Sequence, residues 1–214
     1  MKSLLLINAS PYGQHSHASQ LALEWLASLR RQHPGLELIE RNLSTEPLPP
    51  LDVDYAHALT SAELFASPVF KVSEELIGEL ERSDMLLITT PMHNFTVPAA
   101  LKLWIDYVLR IHRTFNSTPK GKIGLLRDRP VHVLVSSGGF HRGEQARQPD
   151  FLTPYLRQVL NTLGLFNLRF TYLEGLAFDD DAVLTAVEAA RTSLWQSPSL
   201  DRHDLARPFS HTEC

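Results

Sequence analysis

The sequence predicts a doubly wound α/β fold, with five parallel strands in one sheet and helices on both faces. Three observations carry that prediction. Short apolar runs supply the strands: SLLLIN (3–8), LELIER (36–41), DMLLITT (84–90) and PVHVLVSS (130–137), with a fifth, LRFTYLEGL (168–176), rich in Phe, Tyr and Leu. Continuous apolar runs, rather than strict alternation, suit strands buried on both faces of a helix-covered parallel sheet. Helical periods fill the gaps, and repeated strand–helix alternation implies right-handed crossovers. The chain has 214 residues, 43% of them hydrophobic, which suits one domain with elaborations and a sizeable core.

Each connecting element has its own signal. Residues 19–32 place Leu21, Trp25, Leu26 and Leu29 on one helical face, and residues 70–83 do the same with Val72, Leu76, Ile77 and Leu80. Between them, segment 42–69 carries Pro47, Pro49, Pro50 and Pro68 and reads as a long connection with a short helix near 60–66. Pro98 opens a helix over 99–113, where Leu101, Leu103, Trp104, Ile105, Tyr107, Val108 and Ile111 lie nearly all round. Such a helix is buried on both sides. Either a second copy of the chain or segment 42–69 would cover its outer face. Residues 152–164 end in Gly164, a C-cap residue, and Asp179, Asp180 and Asp181 open the closing helix, where the dipole favours acidic groups. One domain is expected over 1–195, followed by a loosely held polar tail at 196–214.

Composition excludes several partners. The net charge is -4, the pI is near 6.2, and no block of like charge stands out, which argues against nucleic acid or an anionic membrane surface. The opening apolar run, 4–7, is shorter than the roughly seven residues a signal peptide needs, and no stretch approaches the roughly 20 of a membrane helix. The cytoplasm is the expected location. Cys214 is the only cysteine, so no intrachain disulfide can form.

In doubly wound sheets, ligands bind beyond the carboxyl ends of the strands. After the first strand, NASPYGQHSHASQ (8–20) offers hydroxyls at Ser10, Ser16 and Ser19 and then opens a helix. That arrangement suits a phosphate, although the serines also read as plain turn and N-cap residues. With one glycine and no lysine or cysteine, the loop is neither a dinucleotide fingerprint nor a nucleoside-triphosphate or cysteine-phosphatase loop. After the fourth strand, SSGGFH (136–141) carries two glycines that admit a flat ligand or make a tight turn. After the third come Met92, His93, Asn94 and Phe95, set between Pro91 and Pro98.

Together these motifs resemble the FMN-dependent NADH-azoreductases, also called FMN-dependent NADH:quinone oxidoreductases. That family carries Pro-Met-Tyr-Asn-Phe after strand three, matched by residues 91–95 with His93 in the tyrosine position. Residues 101–108, LKLWIDYV, resemble the helix that follows, and Thr114 and Phe115 match a Thr-Phe pair. A Ser-Arg-Gly-Gly motif is matched by Ser136, Ser137, Gly138 and Gly139, and a following histidine by His141. TPYL (153–156), Gly164 and the Glu174–Gly175 pair also fit, so the likeness runs from about residue 1 to about 195.

The resemblance implies a flavodoxin-like fold binding FMN. Ser10, Ser16, His17 and Ala18 would hold the phosphate, with Ser19 or a backbone N–H replacing the hydroxyl that Ala18 lacks. Met92, His93, Asn94 and Phe95, with Ser136, Ser137, Gly138 and Gly139, would hold the ring. Phe115 and His141 would line the substrate pocket, and His141 and His93 would modulate the flavin. The implied reaction is ping-pong: NADH or NADPH gives hydride to the flavin and leaves, then a quinone or azo compound takes two electrons. No metal and no protein nucleophile is needed. A homodimer is implied as well. Two readings of the same fold stand beside this one, a flavodoxin-type electron carrier and a cofactor-free binding domain.

Overall fold

The structure, a computed structural model, describes residues 1–60 and 67–196. Five strands form one parallel sheet in the order β2-β1-β3-β6-β7: β1 (Ser3–Asn8), β2 (Glu37–Asn42), β3 (Met85–Pro91), β6 (Val131–Ser136) and β7 (Leu168–Leu173). Each lies within a few residues of its sequence-predicted run. β1, β3 and β6 are buried almost throughout because helices cover both faces. Alternation sends Leu5, Ile7, Leu86, Ile88, Val131, Val133 and Val135 to one core, and Leu4, Leu6, Met85, Leu87 and Leu134 to the other. Burying one such aliphatic side chain contributes about 1.5–3 kcal/mol.

Helices α1 (His17–Gln32) and α6 (Asp180–Trp195) cover the second core. Helices α2 (Val53–Thr60), α3 (Lys71–Arg82), α4 (Ala99–Val108) and α5 (Leu152–Leu163) cover the first. The chain therefore winds outward in both directions, and the two directions part between β1 and β3. Helix α6 packs loosely, burying Ala190 and Leu194 and leaving a cleft of about 1050 Å³ against His132, Arg169 and Thr171.

Two expectations change, and one falls mostly outside the described residues. The latter is the short helix near 60–66; the chain before it already forms α2 at Val53–Thr60. Helix α4 ends at Val108 rather than near 113. The Thr114 hydroxyl turns back to the Val108 carbonyl (2.6 Å) and accepts from the Arg110 N–H (3.0 Å), so the chain leaves the helix, and His112 takes a left-handed φ of 62°. Residues beyond α4 then form an antiparallel hairpin, β4 (Phe115–Thr118) and β5 (Gly121–Gly124), which no sequence run announces.

The all-round apolar character of α4 is met within the chain. Trp104 is 1% exposed. The Tyr55 ring meets Tyr107 and Phe70 edge-on at 5.2 and 5.3 Å, and the Tyr107 hydroxyl donates to the Pro49 carbonyl at 2.9 Å. Of the two coverings the sequence left open, segment 42–60 supplies one. The polar tail lies outside the described residues beyond Gln196.

Candidate active site

β1, β3 and β6 are neighbours, so the loops leaving their carboxyl ends converge, with the β1–β3 boundary as the topological switch point. The first loop begins at Asn8, whose Oδ1 accepts from the Ser10 N–H (3.0 Å) and from the Thr89 hydroxyl of β3 (3.3 Å). Gly13 turns the chain with a left-handed φ of 55°, donating to the Ser10 carbonyl. Ser16 then caps α1: its Oγ accepts from the Ser19 N–H (3.2 Å) and donates to Ser19 Oγ (2.7 Å). Ser19 Oγ lies 3.4 Å from Thr89 Oγ1, completing a hydroxyl chain from the loop to the sheet.

That chain corrects one expectation. Ser19 is buried and turned toward Thr89, so it does not stand in for the hydroxyl that Ala18 lacks. The Ala18 methyl is buried in the core with Leu4, Leu6 and Leu21, leaving the backbone N–H as what this residue can present. The first-turn amides of an α-helix have no intrahelical acceptor, and the dipole there favours an anion. His17 is exposed at this turn, and Ser10 Oγ accepts from the Tyr12 N–H (3.3 Å), which leaves the hydroxyl proton free to donate.

The second loop extends β3. Met92 N–H donates to the Ser136 carbonyl (2.7 Å), and His93 and Thr96 exchange both backbone bonds at 2.9 and 3.0 Å. Asn94 (φ 47°) and Phe95 (φ 73°) fill the two central positions, which makes a type I′ turn. Asparagine tolerates that conformation; phenylalanine is strained in it by about 1–2 kcal/mol. The surroundings hold it: the Phe95 carbonyl accepts from Phe151 N–H (3.0 Å), and Gln148 Nε2 donates to Met92 Sδ (3.7 Å). The turn leaves His93, Asn94 and Phe95 exposed above a buried Met92.

The third loop leaves β6 at Ser136 and is tied to the exit of β7. Ser137 N–H donates to the Leu173 carbonyl (2.8 Å), Leu176 N–H to Ser137 (3.1 Å) and Ala177 N–H to Gly138 (3.1 Å). A Cβ on Gly138 would meet the Ala177 methyl at 3.0 Å, so glycine lets these two loops close. The His141 side chain is fully buried, its Nδ1 lying 3.0 Å from Glu174 Oε1 and 3.2 Å from Ser137 Oγ. His141 Nε2 is buried without a hydrogen-bond partner. The Tyr172 ring lies 5.6 Å from that of His141, and Arg142 stacks 3.7 Å over Tyr172, whose phenol pKa is raised by burial.

Of the residues expected at the site, Phe115 is the one the subunit does not bring there. It begins β4 opposite Gly124, which packs on Gly164 at the start of the connection into β7, the end of the sheet away from the three loops. Lys122 lies 4.9 Å over its ring. Meanwhile Tyr12, Phe95, Phe151 and Phe178 stand exposed on the loops around the site, Phe178 stacked on Phe140 at 5.5 Å. Sequence reading missed Asn8 and Thr89 as the floor of the first loop. Glu174 matches a family motif in the sequence, and its contact with His141, 33 residues away along the chain, arises only in the fold.

The described residues include no group of three or more His, Cys, Asp or Glu placed to hold a metal ion. A protein family described by the flavodoxin-like fold matches residues 2–197. The chain is 72% identical to FMN-dependent NADH:quinone oxidoreductase 4 of Pseudomonas fluorescens over 198 residues, 92% of this chain and 96% of that one. It is 54% identical to FMN-dependent NADH:quinone oxidoreductase 5 of Burkholderia lata over 202 residues, 94% and 97% of the two chains. The crystal structure of an azoreductase from Bacillus anthracis superposes with a TM-score of 0.79 at 24% identity, covering 91% of this chain and 97% of that one, which is a likeness of fold. With that fold, those three loops and relatives of such identity, the chain belongs to the flavodoxin-like family and, within it, to the FMN-dependent NADH:quinone oxidoreductases.

Proposed function

We infer that this protein is an FMN-dependent oxidoreductase that moves two electrons from NADH or NADPH to quinones and azo compounds. The observation that carries the reading is the meeting of three loops of matching chemistry at one sheet edge, in a chain 72% identical to a relative named for this reaction. The residues fit the cofactor. One helix N-terminus, with Ser10 and the amides of His17 and Ala18, suits a single phosphate dianion rather than a pyrophosphate. The buried Nε2 of His141 lacks a partner, and a buried polar atom left so costs about 1–3 kcal/mol unless a bound group meets it.

Bound FMN supplies hydride acceptance from the nicotinamide and two-electron return to the acceptor, in a ping-pong order that lets both substrates use one place. The chain does the rest. Ser10, Ser16, His17 and Ala18 would hold the phosphate end, Ser16 by turning toward it the hydroxyl that here donates to Ser19. Met92, Asn94 and Phe95 would hold the ring with a polarisable thioether, an amide and an aromatic face, while Ser136, Ser137, Gly138 and Gly139 would offer it backbone groups. His93 stands exposed at the rim, where a substrate meets it. His141 would modulate charge on the bound ring.

The working unit under this reading is a homodimer in the cytoplasm, with residues 1–195 as its catalytic domain. Support for a dimer comes from the family resemblance and from Ile123, Leu125 and Phe166, large apolar side chains exposed around the β4–β5 hairpin. A partner's hairpin is also the remaining route by which Phe115 would approach an active site. Among the described residues no helix is long and apolar enough to cross a membrane. Sedimentation at micromolar concentration should give about twice the 24.1 kDa chain mass.

The decisive experiment is the absorbance spectrum of the purified protein, followed by anaerobic addition of NADH. Flavin bands that bleach on NADH and return on adding a quinone are expected. A colourless protein that takes up no FMN overturns the reading, and one that bleaches only with a partner reductase makes it an electron carrier.

A further inference from the structure

His141 is held by a proton arrangement that assigns a task to Glu174. The Ser137 hydroxyl donates its one proton to the Gly139 carbonyl at 2.7 Å, so toward His141 it can only accept. The Glu174 carboxylate accepts from the His141 backbone N–H at 2.8 Å and lies 3.0 Å from Nδ1. Both neighbours of Nδ1 are therefore acceptors, and the ring proton sits on Nδ1. In neutral imidazole that leaves Nε2 with a lone pair, and Nε2 is the atom buried without a partner.

The loop that carries Glu174 is built to stay in place. Gly175 follows it with φ 79°, where a Cβ would meet Phe140 Cζ at 2.8 Å. Three backbone bonds join residues 173–177 to Ser137 and Gly138 on either side of it. Other charged groups on the elements packed around His141 are Arg142, stacked over Tyr172, whose hydroxyl pairs with Thr153 Oγ1 at 3.1 Å, and, on the α5 side of that tyrosine, Arg157 and Asp150. Asp150, at the start of α5, receives the Thr153 N–H.

We propose, building on the functional reading above, that Glu174 is a positioning residue for the redox reaction: it fixes His141 with Nδ1 protonated and becomes the counter-ion when Nε2 takes up a proton. The overall reaction, NADH + H⁺ + quinone giving NAD⁺ + hydroquinone, draws one proton from solvent. That proton rests on His141 Nε2 while the site holds the two electrons and goes to a quinone oxygen as the hydroquinone forms, so charge and protons balance in each half-reaction. Desolvated charge in the site is then matched within the protein by a carboxylate–imidazolium pair.

The test uses Glu174→Gln, which keeps the size and, at Oε1, the oxygen shared by the His141 N–H and Nδ1, but removes the charge that would balance a proton on Nε2. Nitrogen-15 NMR of the full chain should place the His141 proton on Nδ1 in the wild type and keep it there in Glu174→Gln, so that the two proteins differ in charge and not in tautomer. In the FMN-loaded enzyme, the wild type should take up one more proton per two electrons near neutral pH than Glu174→Gln. That proton appears as a potential falling about 30 mV more steeply per pH unit in a two-electron couple. Equal slopes, or a wild-type proton already on Nε2, overturn the proposal while a yellow, NADH-bleachable protein leaves the functional reading standing. A colourless wild type overturns both. If Glu174→Gln fails to fold, the wild-type tautomer and slope still decide.

Discussion

Phe95 sits where its own backbone conformation disfavours it, and that strain is measurable. With φ at 73° and about 44% of its surface exposed, it occupies the second central position of a type I′ turn after Asn94. Truncating the ring removes a little over half of a side chain that buries about 200 Å², or about 3 kcal/mol at 25 cal/mol per Å². Phe95→Ala and Phe95→Gly lose that contribution alike. They differ in the turn, because alanine keeps a Cβ in the left-handed region, worth about 1–2 kcal/mol of strain. Glycine sheds the strain and makes Asn-Gly, the favoured pair for this turn, while its freer unfolded chain costs back about 0.5–1 kcal/mol. Phe95→Gly should therefore exceed Phe95→Ala in stability by about 1 kcal/mol, the reverse of the order inside a helix or strand. In a chain of this size that is a Tm difference of about 2–4 °C by calorimetry of the flavin-free proteins. Both variants should bind FMN more weakly than the wild type. An alanine variant as stable as the glycine variant would refute the strain argument.

Three further outcomes are expected. Ser16→Asp should purify with little flavin, read from the ratio of visible to ultraviolet absorbance, since a carboxylate then faces the phosphate. Aspartate is as good an N-cap as serine, so the fold should survive, and full flavin content would remove Ser16 from the site. Burial, aided by Arg169, pushes His132 down to about 4, against about 6.5 in the unfolded chain. The unfolded state thus binds the proton first: this stability is complete above pH 6.5 and is lost as pH falls toward 4, by about 3 kcal/mol. Urea titrations at pH 7, 5.5 and 4 should show His132→Asn losing correspondingly less than the wild type across that window. Gly124→Ala would place a Cβ 2.1 Å from the Gly164 backbone nitrogen, and backbone cannot yield as a side-chain end can. Hairpin and α5 must separate, and a loss of about 3 kcal/mol or more is expected in the same titrations. An unchanged midpoint there would show that the hairpin is not held against α5.

What the sequence determined by itself is the local and periodic part of the molecule. Apolar runs at 3–8, 84–90 and 130–137 can be satisfied only between two helical layers, so the sheet was legible from composition along the chain. Ser16 and Asp179 show the same economy: each caps its own helix through a bond three residues on, to Ser19 and Ala182, and short range makes caps readable. Tertiary structure decided whatever depends on meeting across the chain. Helix α4 is as apolar for an outer face against another subunit as for one against residues 49–60, and only the packing of Tyr55 on Tyr107 distinguishes them. Phe115 matches a motif, yet its place follows from Gly124 lying against Gly164, a steric fit between residues 40 apart that no run or period encodes. The Glu174–His141 contact has the same character. A side chain's type restricts which protons it can give or accept, but which partner receives them is settled when β6 and β7 lie side by side and bring their exits within hydrogen-bond reach.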